Sequence, residues 1–111
     1  MAGKLVLRQP ADGYRAGTDP VFLAAAVLAK PGERVLDLGC GVGTAVLCLG
    51  VRVGGLELHG LEVQADYAKL ARANAERAGL ALTVHDGDVR APPEPLRQLG
   101  LHHVLLSAPV F

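Results

Sequence analysis

The sequence predicts an α/β domain built on a parallel sheet. Three observations carry this. Short apolar runs alternate with stretches of helical periodicity along the chain. The first run passes directly into Asp37-Leu38-Gly39-Cys40-Gly41-Val42-Gly43-Thr44, a glycine turn between a strand and a helix. A second run ends in an acid, Glu62, roughly 20 residues beyond that turn.

Gly3, Pro10, Gly13 and Gly17 mark residues 1–17 as an extended arm and turn. Asp19 reads as a helix N-cap with Pro20 at the first helical position, so residues 21–29 form a small apolar helix, stopped by Pro31-Gly32. Residues 34–38 are the first strand, apolar nearly throughout as buried parallel strands are. A helix over 44–51 follows and Gly54-Gly55 turn the chain out of it into a second strand, 56–62. Residues 64–78 are strong helix formers, with Tyr67, Leu70, Ala71, Asn74 and Ala78 on one stripe and Gly79 as C-cap. A third strand is expected over 80–85. The proline-rich loop 90–100 then carries one helical turn near 95–99, and a fourth strand spans 101–107. Strands alternating with helices in this way require right-handed crossovers.

The chain has 111 residues and half of it is apolar, which suits one domain: an arm and helix over 1–31 and a core over 32–111. Lysine plus arginine equals aspartate plus glutamate at 11 each, so no basic excess announces a nucleic-acid surface on this segment alone. The longest apolar stretch, 21–29, is far too short to span a bilayer, and the N-terminus lacks the apolar region of a secretory signal. A cytoplasmic location without membrane contact is therefore expected. Cys40 and Cys48 have no metal-like spacing and read as reduced thiols. His59, His85, His102 and His103 form no ligand constellation, so no metal is expected.

The glycine turn carries the chemistry. It brings backbone and a helix N-terminus close to a ligand, and an acid at the end of the second strand accepts ribose hydroxyls. A dinucleotide site would need G-x-G-x-x-G, whose third glycine falls where this chain has Thr44. The pattern here is Asp37-x-Gly39-x-Gly41-x-Gly43. A carboxylate before the first glycine repels a pyrophosphate and suits a nucleoside that bears an ammonium group. The alternatives are a tight turn with no ligand, a capping role for Asp37, and a plain strand-end acid at Glu62. Asp86-Gly87-Asp88 ends the third strand, where Asp88 reads either as an acceptor for an adenine amine, with Val89 beside the ring, or as a polar turn.

The turn resembles the first motif of S-adenosylmethionine-dependent methyltransferases of the Rossmann-like class. Residues 9–25, from Gln9-Pro10-Ala11-Asp12-Gly13-Tyr14-Arg15 through Thr18-Asp19-Pro20, are similar to the N-terminal signature of bacterial tRNA adenine-N6 methyltransferases acting on valine tRNA. Leu58-His59-Gly60-Leu61-Glu62 and Ala71-Arg72-Ala73-Asn74-Ala75 are similar to the second strand and second core helix of that family. The resemblance implies a Rossmann-like sheet of strand order 3-2-1-4 with helices on both faces, S-adenosylmethionine as cofactor and tRNA as substrate. The cofactor residues it implies are Arg15, Thr18, Asp37, Gly39, Cys40, Gly41, Glu62, Val63, Asp88, Val89 and Ser107. Asp37 would hold the amino group of the methionine part, and Arg15 and Thr18 would lie near its carboxylate.

Two departures from the family shape the expectations. Family members carry Asn-Pro-Pro-aromatic after the fourth strand, where this chain has Ala108-Pro109-Val110-Phe111. Pro109 and Phe111 remain to position a flipped-out base, but Ala108 has no amide for the target amine. By analogy with the loss of one preorganised hydrogen-bonding group, the cost is on the order of 10²–10³ in rate. The family's sheet also continues for further strands. The chain is therefore expected to be the front part of that fold, with an apolar fourth-strand edge that favours homo-oligomers. The competing expectations are a catalytically impaired binding or assembly module and a relative of the protein glutamine methyltransferases.

Overall fold

A computed structural model describes residues 28–107. Strand β1 (Arg34–Leu38) leads into helix α1 (Thr44–Val53), strand β2 (Glu57–Glu62), helix α2 (Ala65–Ala78), strand β3 (Leu82–Asp86), the single turn α3 (Glu94–Arg97) and strand β4 (His103–Leu106). The sheet is parallel and ordered β3-β2-β1-β4, as the sequence predicts. The first two strands lie at its centre, so β1 ends between β2 and β4.

The two faces of the sheet are covered unequally. Val35, Leu58 and Leu105 point to the side of α1, where Val46, Leu47 and Leu49 complete the main core. This contact is tight: a methyl group on Gly50 of α1 would meet Leu58 Cδ1 at 2.7 Å. Leu36 and Leu61 point to the other side, covered by Leu96 of α3 with Leu99 and Leu101. Val104 and Leu106 of β4 stay about half exposed.

Several boundaries shift from the sequence reading. Residues 28 and 29, the end of the expected first helix, are irregular, as is Lys30, which precedes Pro31, where proline disfavours helical backbone. The rest of that helix and the arm lie outside the described residues. Strand β3 starts at Leu82 and not at position 80, because the Leu80 amide closes the C-cap of α2 by donating to Ala75 O. Strand β4 starts at His103 and not at 101, because the His102 ring takes up the Arg34 amide through Nδ1. On α2 the buried stripe is Tyr67, Ala68, Ala71, Asn74 and Ala75, while Leu70 and Ala78 are only half-buried. Small side chains let the helix lie close to the glycine turn. Among the described residues, no helix is long and apolar enough to cross a membrane.

Candidate functional site

The chain between β1 and α1 is shaped by Gly39, Gly41 and Gly43, at φ 66°, 57° and 93°. These left-handed conformations strain any residue with a Cβ. The turn is bound to the end of β2: Leu61 O accepts from the amides of Gly39 and Cys40, and the Gly41 amide donates to Glu62 Oε1 at 2.8 Å. The other carboxylate oxygen of Glu62 accepts from the Gln64 amide at 3.0 Å. Each oxygen keeps a further lone pair for a ligand hydroxyl. Behind the turn, buried Asn74 of α2 donates from Nδ2 to Val42 O at 3.0 Å.

Asp37 closes β1 and is fully buried. Among the described residues, neither of its oxygens meets a hydrogen-bond partner, and the same holds for Thr44 Oγ1 at the start of α1 and Ser107 Oγ just past β4. Asp37 and Ser107 sit side by side at one end of the sheet, since the Ser107 amide donates to Leu38 O, and Thr44 lies where the same turn enters α1. Burial pushes the Asp37 carboxyl up to about 7, and the nearby Glu62 charge adds to this. The Ser107 hydroxyl and the Val46 amide in the first turn of α1 lie near enough to oppose the rise, although short of hydrogen-bond geometry. Buried polar atoms are normally satisfied, so a cluster left open is where a polar ligand fits. An ammonium group supplies the donors that Asp37 lacks.

The far side of the site is more open. Gly87 ties the end of β3 to β2 by donating to Glu62 O. Asp88 is already engaged: its carboxylate accepts from the Arg90 amide at 2.9 Å and from the guanidinium at 2.6 Å. The Arg90 side chain holds Asp88 down to about 2. Any adenine amine at Asp88 shares it with Arg90. Val63 and Val89 expose 64% and 41% of their surface beside these strand ends, the apolar edges a flat ring would cover.

The structure places Asp37, Gly39, Gly41, Glu62, Val63, Asp88, Val89 and Ser107 at or just past the carboxyl ends of the strands. Cys40 lies in the same turn but is directed inward. Its thiol packs where Gly60 leaves room, its amide is bonded to Leu61 O, and burial drives the thiol strongly upward in pKa. It shapes the turn and presents neither its thiol nor its amide to a ligand. Arg15, Thr18, Pro109 and Phe111 lie outside the described residues.

Three features escaped the sequence reading. The sequence marks Thr44 only by the absence of the third glycine of a dinucleotide motif. Asn74 falls on an apolar stripe, and an amide at such a position needs a buried partner. His59 and His85 pair across β2 and β3, Nδ1 to Nε2 at 3.0 Å, with Glu57 on the far nitrogen of His59 at 2.7 Å. Alternation places both rings on one face of the sheet, which is the signal that could have revealed them.

Comparison with known proteins settles the family. Residues 35–107 match the family described as methyltransferase domain. The chain belongs to that family. It is 42% identical over 82 residues to the 23S rRNA (uracil(1939)-C(5))-methyltransferase of Shewanella denitrificans, covering 70% of this chain and 18% of that protein. It is 35% identical over 72 residues to the tRNA1(Val) (adenine(37)-N6)-methyltransferase of Yersinia enterocolitica, covering 64% of this chain and 29% of that protein. The methyltransferase domain here thus spans less than a third of the length of these curated relatives. Among solved structures, a methyltransferase from Geobacter sulfurreducens in complex with S-adenosyl-L-homocysteine superposes with a TM-score of 0.56 at 31% identity, over 66% of this chain and 30% of that one. The C-terminal domain of a precorrin-6Y methyltransferase from Rhodobacter capsulatus shares the fold, with a TM-score of 0.72 at 22% identity over 90% of this chain and 54% of that one.

Proposed function

We propose that this methyltransferase domain binds S-adenosylmethionine and serves methyl transfer to RNA, the exocyclic N6 amine of a tRNA adenine being the finer assignment. The observation that carries it is the pairing of two acids around one glycine turn: Asp37, buried with both oxygens open, and Glu62, held by two backbone amides. The cofactor supplies an electrophilic methyl group on a sulfonium. Asp37 holds the ammonium of the methionine part, and Glu62 accepts the ribose hydroxyls with its remaining lone pairs. Val63 and Val89 cover the adenine ring, and Asp88 reaches its amine. Ser107 stands beside Asp37, where the target enters. Gly39 and Gly41, with Cys40 packed beneath them, keep the turn thin enough for close approach. Arg15 and Thr18 are proposed to close over the methionine carboxylate, and Pro109 and Phe111 to hold the target base. The protein's task is alignment of the methyl carbon with the attacking nitrogen.

Support for an RNA substrate comes from the names of the relatives, one acting on tRNA and one on rRNA. An RNA substrate in turn implies a cytoplasmic enzyme. A second reading is a binding or assembly module of reduced activity that associates through β4; Ala108 and the half-exposed Val104 and Leu106 favour it.

Calorimetry with S-adenosylhomocysteine and with NADH tests the cofactor. Uptake of the former alone supports the reading, and uptake of NADH alone overturns it. Labelled S-adenosylmethionine with unmodified tRNA, 23S rRNA or a release-factor protein then tests the target. Label in tRNA adenine is the expected result; label only in the protein would assign the chain to the glutamine-modifying group.

A further inference from the structure

We infer that Asn74 is a positioning residue that selects the working shape of the glycine turn. This rests on the turn being the cofactor site. The peptide joining Val42 to Gly43 lies between two left-handed glycines, Gly41 at φ 57° and Gly43 at φ 93°. Glycine permits such backbone but does not choose it, because it visits mirror-related regions with similar ease. Within the turn, the Gly43 amide of this same peptide donates to Cys40 O at 2.9 Å, and its carbonyl end is fixed from outside the turn. The amides of Gly39, Cys40, Gly41 and Gly43 all have partners within the turn or on β2, and these fix the turn at its two ends. The Val42 carbonyl is the group held from a different element: Asn74 Nδ2 reaches it from α2 at 3.0 Å. Asn74 is fully buried, and Ala71, one turn earlier on the same helix, lies 3.6 Å from where a Gly43 Cβ would be. The helix thus backs the turn closely enough to transmit its own position. Without the Asn74 amide, the buried carbonyl loses its donor and the peptide is held through the Gly43 amide alone, which lets it tilt by rotation about Val42 and Gly43. That rotation moves Gly41, whose amide holds Glu62, and Thr44, which starts α1.

The test uses Asn74→Leu, which keeps the side-chain size and removes the donor, and Asn74→Ala in case the first fails to fold. Leu96→Ala, in the core on the opposite face of the sheet, serves as a stability-matched control. All are compared well below their melting points. Removing the donor is expected to weaken S-adenosylhomocysteine binding about tenfold, the range of one buried hydrogen bond. Hydrogen exchange of the Gly41 and Gly43 amides should quicken while the amides of β2 and β3 stay protected. Leu96→Ala should lower the melting point and leave binding within twofold. In the unaltered protein, one Asn74 side-chain proton should be shielded from exchange. The inference is overturned if Asn74→Leu binds within twofold of the unaltered protein, if Leu96→Ala weakens binding equally, or if the Asn74 amide exchanges at solvent rates. If the unaltered protein fails to bind the ligand at all, the cofactor reading falls, and exchange at Gly41 and Gly43 alone decides whether Asn74 sets the turn.

Discussion

Asp37 burdens the free protein, and in the proposed role it serves the loaded one. Its carboxyl is raised from 3.8 to about 7 by burial, so the folded chain retains a proton that the unfolded chain releases. Stability of the free protein therefore declines as pH rises from about 4 to about 7, by an amount on the order of a few kcal/mol. Asp37→Asn removes this cost. It is expected to raise the thermal midpoint at pH 8 by at least about 5 °C and to cut S-adenosylmethionine affinity tenfold or more. Scanning calorimetry and titration of the same sample check both halves. An unchanged affinity would remove Asp37 from the site. Glu62→Ala is expected to weaken binding at least tenfold by titration calorimetry, because charged hydrogen bonds contribute roughly 1.5–3 kcal/mol. At this scale the acids and glycines were legible, since each needs a residue type that few others can replace. Asn74 and Thr44 were not, since their roles depend on which carbonyl or cavity the fold brings to them. Asp88 was legible as a strand-end acid, but its pairing with Arg90 depends on the conformation of a loop.

At the scale of elements, the glycine turn and β2 fit as closely as α1 and β2 do. A methyl on Gly60 would meet Cys40 Sγ at 2.7 Å and Cys40 Cβ at 3.1 Å. Both partners are buried, so Gly60→Ala is expected to destabilise the domain by about 1–3 kcal/mol in chemical denaturation. Adding Cys40→Ala removes the sulfur and should restore part of the loss; strictly additive costs would show that the two do not touch. The strands and the two long helices were legible from apolar runs and periodicity, because burial on a sheet dictates both. Their ends were less so. The start of β3 was decided by the local Leu80 cap bond beyond Gly79, and the start of β4 by the His102 ring on the Arg34 amide, a contact between distant parts of the chain that leaves no local trace.

For the whole molecule, the sheet order followed from the family resemblance, but the electrostatic pairing across it did not. His85 is held below its ordinary value of 6.5 by burial first, then by the neighbouring His59 and Arg72, with Asp86 opposing. The folded state therefore prefers His85 neutral. As pH falls below about 6.5 the unfolded chain takes up this proton first, and stability declines. Denaturation midpoints at pH 7.5 and 5.5 should differ in that direction, with a smaller difference in His85→Gln; an equal drop in both would exclude His85 as the source. At the other side of the sheet, β4 offers Val104 and Leu106 to solvent. Sedimentation should show concentration-dependent association that the double change Val104→Lys, Leu106→Lys abolishes, and a unaltered chain monomeric at high concentration would refute it. Glu62, finally, is clamped by the amides of Gly41 and Gln64 before any nucleoside comes near. In the proposed role, a sugar docking there meets a receptor whose form predates the encounter. At this acid the contact freezes no further rotamer, so that part of the ordering cost of binding is already met in the free protein.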